Sequence, residues 1–254
     1  MVATSGLVKP IRGVGEFYAM TLDTVLLLFK PPFQWGELIL QFWFVTRVSL
    51  VPAVLMAVPF TVLSAFTFNV LLVDFGAVDF AGAATGITLA QLGPIITVLV
   101  ISGAAATAIC ADLGARTIRE ELDAMRVLGI NPIHRLVVPR VLATGLVSLL
   151  LSGIVSVATV IGSYFFSIFV QGATPGAFAG LIGALTDTTD IVVIMVKSAL
   201  FGVTASLIGC YKGISVGGGP AGVGSAVNET VIYSFMALFV INLLVTAVQF
   251  GGSR

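Results

Sequence analysis

Residues 112–140 read DLGARTIREELDAMRVLGINPIHRLVVPR. Nine charged side chains fall in this stretch: Asp112, Arg116, Arg119, Glu120, Glu121, Asp123, Arg126, Arg135 and Arg140. In the whole chain only 9% of residues are charged. On either side, residues 83–111 and 141–170 carry no charge at all. An apolar run of about 20 residues is long enough for a helix to cross a bilayer core of about 30 Å. The stretch therefore reads as a charged loop between two membrane spans, and the chain as an all-α integral membrane protein.

Working outward, residues 48–73 form a further uncharged run, interrupted only by Pro52 and Pro59, which should bend a helix there. Pro94 lies inside 83–111. Residues 191–211 carry one charge, Lys197, and 231–250 carry none. About five transmembrane helices are expected: 48–73, 83–111, 141–170, 191–211 and 231–250. Residues 5–30 differ. Val14, Tyr18, Leu22, Val25 and Leu26 recur at helical spacing between charges such as Glu16 and Asp23, and Pro31-Pro32 ends the pattern. This reads as an amphipathic helix lying in the membrane interface; the alternative is a first short span, which would bury the carboxylates of Glu16 and Asp23 in the membrane at a cost. Trp35 and Trp43 belong near headgroups, and Arg47 anchors the first span to them. Lys9 and Arg12 are not followed by the short apolar core of a cleavable signal, so the spans themselves are expected to direct insertion.

Orientation follows from lysine and arginine. The 112–140 loop holds five arginines, Lys212 lies between the last two spans, and loops 74–82 and 171–190 hold aspartates and no basic residue. The positive-inside rule puts the N-terminus and the 112–140 loop in the cytoplasm and the C-terminus outside. The composition is 58% hydrophobic with a mean hydropathy of +1.12, which no soluble domain could cover with polar groups. A net charge of zero leaves no basic face for nucleic acid. Cys110 and Cys210 fall at cytoplasmic ends of spans, where thiols stay reduced.

Within the charged stretch, residues 114–129 read as one helix. Ile118, Leu122 and Met125 form its apolar stripe, and Arg116/Glu120 and Arg119/Asp123 are opposite charges four apart. Gly129 and Asn131-Pro132 end it. Such a helix could dock on a soluble partner and pass motion to the spans, or could simply be a solvated connector. Periodicity leaves both open. Gly82/Gly86, Gly176/Gly180 and Gly209/Gly213 have the spacing of close helix approach, either at a subunit interface or within one bundle. The Gly217-x-Gly219-x-x-Gly222 match follows no strand and is discounted as a nucleotide fingerprint. No P-loop sequence occurs, so ATP must be used by another chain. His134 reads as a surface residue, and Lys197 as a side chain that snorkels outward or pairs with Asp187 or Asp190.

The segment Glu120-Glu121-Leu122-Asp123-Ala124, with Gly129, then Pro132 and Pro139-Arg140, resembles the signature of the MlaE/YrbE permease family. The turn from Gly209 through Lys212 and Gly217 to Thr230 is also similar to that family's glycine-rich turn before its last span, and the likeness covers nearly the whole chain. The resemblance implies an ABC-transporter permease that moves a hydrophobic lipid. Residues 114–129 would be the coupling helix: Arg116, Arg119, Glu120, Glu121, Asp123 and Arg126 face the ATPase, and Ile118, Leu122 and Met125 seat the helix. It implies a homologous second permease subunit, an ABC ATPase dimer carrying ATP and Mg, and an oligomer of Mce proteins. It implies no cofactor in this chain. Asn228-Glu229-Thr230 resembles the actinobacterial, Mce-associated YrbE pattern. For that branch the cargo would be a fatty or mycolic acid or a sterol, and the direction import. Leu63, Phe66, Val70, Leu92, Ile96 and Phe235 are candidates for the lipid cavity wall.

Two other classes stand beside this one. An ion-gradient-driven secondary transporter needs ionisable sites at membrane depth, for which Lys197 is the one candidate. A membrane-embedded lipid enzyme needs a paired-acid or metal site. Asp112, Glu120, Glu121 and Asp123 could be imagined as one, but the interleaved arginines would neutralise it.

Overall fold

A computed structural model describes residues 5–251, with side-chain surroundings for residues 12–248. Helices dominate, and no strand occurs among the described residues. They are α1 (Ser5–Leu28), α2 (Trp35–Asp74), α3 (Ala81–Val100), α4 (Thr107–Ile118), α5 (Glu121–Val127), α6 (Val138–Phe169), α7 (Pro175–Leu185), α8 (Thr188–Ile214) and α9 (Pro220–Gly251). A short 3-10 turn, Val78–Phe80, leads into α3. Two π-helical stretches, Ile101–Ala106 and Ile133–Val137, join α3 to α4 and lead into α6. Among the described residues, five helical stretches are long and apolar enough to cross a membrane: Trp35–Asp74, Val78–Ile118, Ile133–Phe169, Thr188–Ile214 and Pro220–Val248.

Expected spans 48–73, 83–111 and 191–211 fall inside these stretches, while 141–170 and 231–250 overlap theirs except for the last one or two residues, and several stretches begin well before the expected span. The first begins at Trp35 rather than residue 48. Charge was the wrong marker for its start: Glu37 is held inside the helix by Gln41 Nε2 at 2.9 Å, and no proline intervenes before Pro52. Pro52 and Pro59 both lie within α2, and neither ends it. A helix missed by the sequence reading, α7, occupies the outer 171–190 loop. Its start has Thr174 as N-cap and Pro175 in the first turn.

The chain divides into two compact units. One comprises Thr46–Ile101, Gly145–Gly202 and Ile241–Arg254. Here polar side chains link helices where no water can. Thr61 Oγ1 donates to Thr159 Oγ1 at 3.2 Å and Asn69 Nδ2 to Ser167 Oγ at 3.0 Å, tying α2 to α6. Ser64 and Thr88 hydroxyls lie 3.3 Å apart between α2 and α3. Such bonds between spans stabilise by about 0.6 kcal/mol each. Gly82 lets α3 press on the backbone of Phe178 in α7, where a Cβ would overlap the carbonyl. Phe178 is buried against Tyr164, and Asp79 caps the turn by accepting from the Thr174 amide at 3.0 Å.

Lys197 belongs to this unit, and its snorkelling reading is corrected. The side chain is 1% exposed, and Nζ donates to Thr246 Oγ1 on α9 at 3.1 Å, not to Asp187 or Asp190. Its position on α8 turns it toward α9 instead of along the helix to the loop.

The other unit comprises Met1–Val45, Ser102–Thr144 and Val203–Val240. It holds the charged stretch. Gly209 and Gly213 bring α8 to backbone contact with its neighbours: a Cβ at Gly209 would lie 2.6 Å from the Ala106 carbonyl oxygen, and one at Gly213 2.8 Å from that of Cys110. These glycines serve packing inside the chain, whereas Gly176 and Gly180 meet nothing within 4 Å. Cys110 and Cys210 are buried free thiols. α1 lies along α8, with the Tyr211 hydroxyl donating to the Gly13 carbonyl at 2.9 Å and Phe17 edge-on to Tyr211. Its apolar residues Val14, Tyr18, Leu22, Val25 and Leu26 stay exposed, as an interfacial helix requires.

Candidate functional site

The charged stretch does not fold as one helix over 114–129. Residues up to Ile118 continue the second span, and the helix stops at Arg119-Glu120. Glu120 takes a left-handed conformation, φ 59°, and a seven-residue helix, α5, starts at Glu121. The order of charges explains the break. Arg116 and Arg119 sit at the C-terminal end of α4, where a helix dipole favours cations. Glu121 and Asp123 sit in the first turn of α5, where it favours anions. Basic residues followed at once by acidic ones mark one helix ending and another beginning. That signal is present in the sequence, where opposite charges four apart also fit a single helix.

The pairs differ accordingly. Arg116/Glu120 and Arg119/Asp123 would need an unbroken helix. Instead, Arg116 Nε donates to Asp112 Oδ2 at 3.2 Å, and its Nη1 lies 3.8 Å from Glu121 Oε2. Arg119 Nε meets Glu121 Oε1 at 2.9 Å, and Arg126 Nη1 meets Asp123 Oδ1 at 2.7 Å. The apolar stripe is split too. Leu122 is buried, Met125 half-buried, and Ile118 exposed. Past the end of α5 the chain displays apolar side chains that the sequence reading passed over. Val127 is 88% exposed and Leu128 74%, with Ile130 also exposed. Gly129, at φ 76°, then turns the chain back.

Behind α5 lies a buried cation. Arg140, in the first turn of α6, is 1% exposed. Its Nη2 donates to Asp112 Oδ2 at 2.6 Å and its Nη1 to the Leu136 carbonyl at 2.8 Å. The Asp112 side chain is itself 39% exposed, and removing it would leave the buried guanidinium with the Leu136 carbonyl and no counter-charge. The π-helical stretch before it is held by Arg135, which donates to Gln34 Oε1 at 2.8 Å, and by His134, whose Nε2 is 3.1 Å from the Lys30 carbonyl. His134 is thus a surface tether.

The glycine-rich turn after α8 is shaped by backbone need. Gly218 and Gly219 have φ of 81° and 74°, and a side chain at Gly222 would overlap the Gly217 carbonyl. On either side of the turn, Lys212 Nζ pairs with Glu229 Oε2 at 2.6 Å and stands 4.4 Å from the Tyr233 ring centre.

The residues suggested as a lipid wall differ widely in exposure. Leu63, Phe66 and Val70 share an exposed stripe of α2, Leu92 is half-buried, and Ile96 is fully buried. A residue with no exposed surface cannot line a cavity, so Ile96 is withdrawn as a wall residue. Phe235 belongs to the other unit.

Residues 38–248 match the family model described as Permease MlaE. A probable ABC transporter permease protein of Synechocystis sp. is 31% identical over 207 residues, covering 81% of this chain and 77% of its own length. One of Rickettsia typhi is 28% identical over 249 residues, covering 96% and 94%. The intermembrane phospholipid transport system permease protein MlaE of Haemophilus influenzae is 26% identical over 185 residues, covering 72% and 70%.

Proposed function

The chain belongs to the MlaE family of ABC transporter permeases, and from that premise we propose that it is the multi-pass subunit of a lipid transporter whose ATPase docks on α5. The observation that carries the docking reading is the pair Val127 and Leu128, large apolar side chains left bare at the tip of a charged loop. Exposed apolar groups in a polar rim are what a groove on a partner recognises. Glu121 and Asp123 are engaged by arginines of the same loop, so they shape the rim and the apolar tip supplies the anchor. ATP and Mg belong to the partner.

The positive-inside rule supports a cytoplasmic N-terminus and 112–140 loop, with the C-terminus outside. The window of α9 is almost wholly uncovered within this chain, which supports a homologous second permease subunit as its cover. The likeness of Asn228-Glu229-Thr230 to the actinobacterial type supports Mce proteins as further partners, with import as the direction. The cargo is an apolar lipid: a phospholipid, as the name of the Haemophilus relative suggests, or a fatty or mycolic acid or sterol. Leu63, Phe66 and Val70, with Leu92 and Phe235, are the wall residues to test.

The test is purification of the chain from its native membrane in mild detergent, with mass spectrometry of bound proteins and lipids. An ABC ATPase, a second permease, Mce proteins and a lipid are the expected companions. The double variant Val127→Asp/Leu128→Asp should insert normally and lose the ATPase. An ATPase that stays bound refutes the apolar anchor. A parent chain that purifies alone, even after crosslinking, favours the secondary transporter or the lipid enzyme.

A further inference from the structure

α5 is held to the rest of its unit by little covalent restraint. It has seven residues, begins after a left-handed glutamate and is followed by a left-handed glycine, Gly129. Its one buried side chain is Leu122. A helix so short and so hinged at both ends cannot pass a push to the spans unless something else fixes its direction. The charged side chains supply a continuous link of alternating sign. Arg140 of α6 donates to Asp112 of α4. Asp112 also accepts from Arg116, one turn further along α4. Arg116 reaches Glu121, the first residue of α5, and Glu121 is gripped again by Arg119. One end of the link is buried, and the other lies at the start of α5.

We propose that the chain of ion pairs Arg140–Asp112–Arg116–Glu121 is the joint that locks α5 to the start of α6, with Asp112 and Arg140 as positioning residues for energy coupling. This rests on α5 being the ATPase-docking helix. The physical case is the burial of Arg140. Its guanidinium has the partly exposed carboxylate of Asp112 on α4 and the Leu136 carbonyl, in the π-helical stretch before α6, as partners, and separating α4 from α6 would leave this buried cation without its counter-charge. The two helix ends therefore move together. Arg116 is forked and always charged, so it can hold Asp112 and Glu121 at once, and α5 turns with them. Without the link, α5 would swivel about Glu120 while the ATPase turned over.

Two variants test this. Asp112→Asn removes the shared carboxylate, and Arg116→Gln, at a partly exposed position, breaks the middle of the link while leaving the Asp112–Arg140 pair in place. The complex is purified with its ATPase and placed in liposomes, and lipid moved per ATP hydrolysed is measured. In parallel, a nitroxide on the exposed face of α5, at Ala124→Cys, reports the mobility of that helix in the full chain in nanodiscs. Both variants should keep the ATPase bound, lower the lipid-per-ATP ratio by roughly three- to thirtyfold, and sharpen the nitroxide line shape. Asp112→Glu should recover most of the ratio. Should Asp112→Asn fail to reach the membrane, Arg116→Gln carries the test. An unchanged ratio and line shape in Arg116→Gln overturns the joint. So does a loss that tracks only melting temperature. If the parent chain binds no ATPase, the docking reading fails by itself, and the line shape still decides whether the link holds α5.

Discussion

Glu120 shows how one residue can divide an element. A left-handed backbone at a non-glycine residue costs about 1 kcal/mol or more, and here it sits between helix ends whose charges suit their dipoles. Glycine would adopt the same backbone without that cost. Glu120→Gly should therefore raise stability by about 1 kcal/mol, while Glu120→Val, β-branched at a positive φ, should lower it by about 1–2 kcal/mol. Thermal unfolding in detergent measures both, and the reverse order would contradict the strain. The residue also marks the limit of sequence reading. Spacing alone makes residues 114–129 look like one amphipathic helix, because three apolar residues at steps of four and three fit either arrangement. Only the change from arginines to acids encodes the break, and that signal is electrostatic, not periodic. The exposure of Val127 is hidden for a related reason: it lies off the stripe, and Leu128, three residues after Met125, reads as the stripe's continuation until the break at Glu120 is known.

At the scale of elements, the spans were legible because apolar runs of that length have few other uses in a folded chain. Their ends were not, since a helix continues past the membrane for as long as no breaker stops it. α2 begins at Trp35, and the second span runs on to Ile118. α7 was hidden by its glycines, although Pro175 after Thr174 is a helix-start signal. Packing was partly legible: the Gly209/Gly213 spacing announced a close approach but not its partner. That approach is tight enough to predict from. Gly209→Ala would place a methyl 2.6 Å from the Ala106 carbonyl oxygen, and backbone cannot yield as a side chain can. The expected loss is about 1–3 kcal/mol, seen as a lower melting temperature. Gly180→Ala, with open space around it, is the control and should change little.

For the molecule as a whole, the distribution of charge governs how it sits in the membrane, and orientation is open to direct measurement. Phe75→Cys and Leu128→Cys occupy exposed positions in loops expected on opposite sides, and the natural Cys110 and Cys210 are buried, so background labelling is low. A membrane-impermeant maleimide should reach residue 75 in intact cells and residue 128 only after permeabilisation. The opposite pattern would invert the topology. The pairing of Asp112 with the buried Arg140 bears on an earlier stage of the protein's life. A ribosome releases the chain in order, so Asp112 is delivered with the second span before Arg140 arrives with the third. An unpaired arginine entering the insertion machinery is costly. Here its counter-charge has already been threaded, and the two spans can leave the translocon for the lipid as one neutralised hairpin.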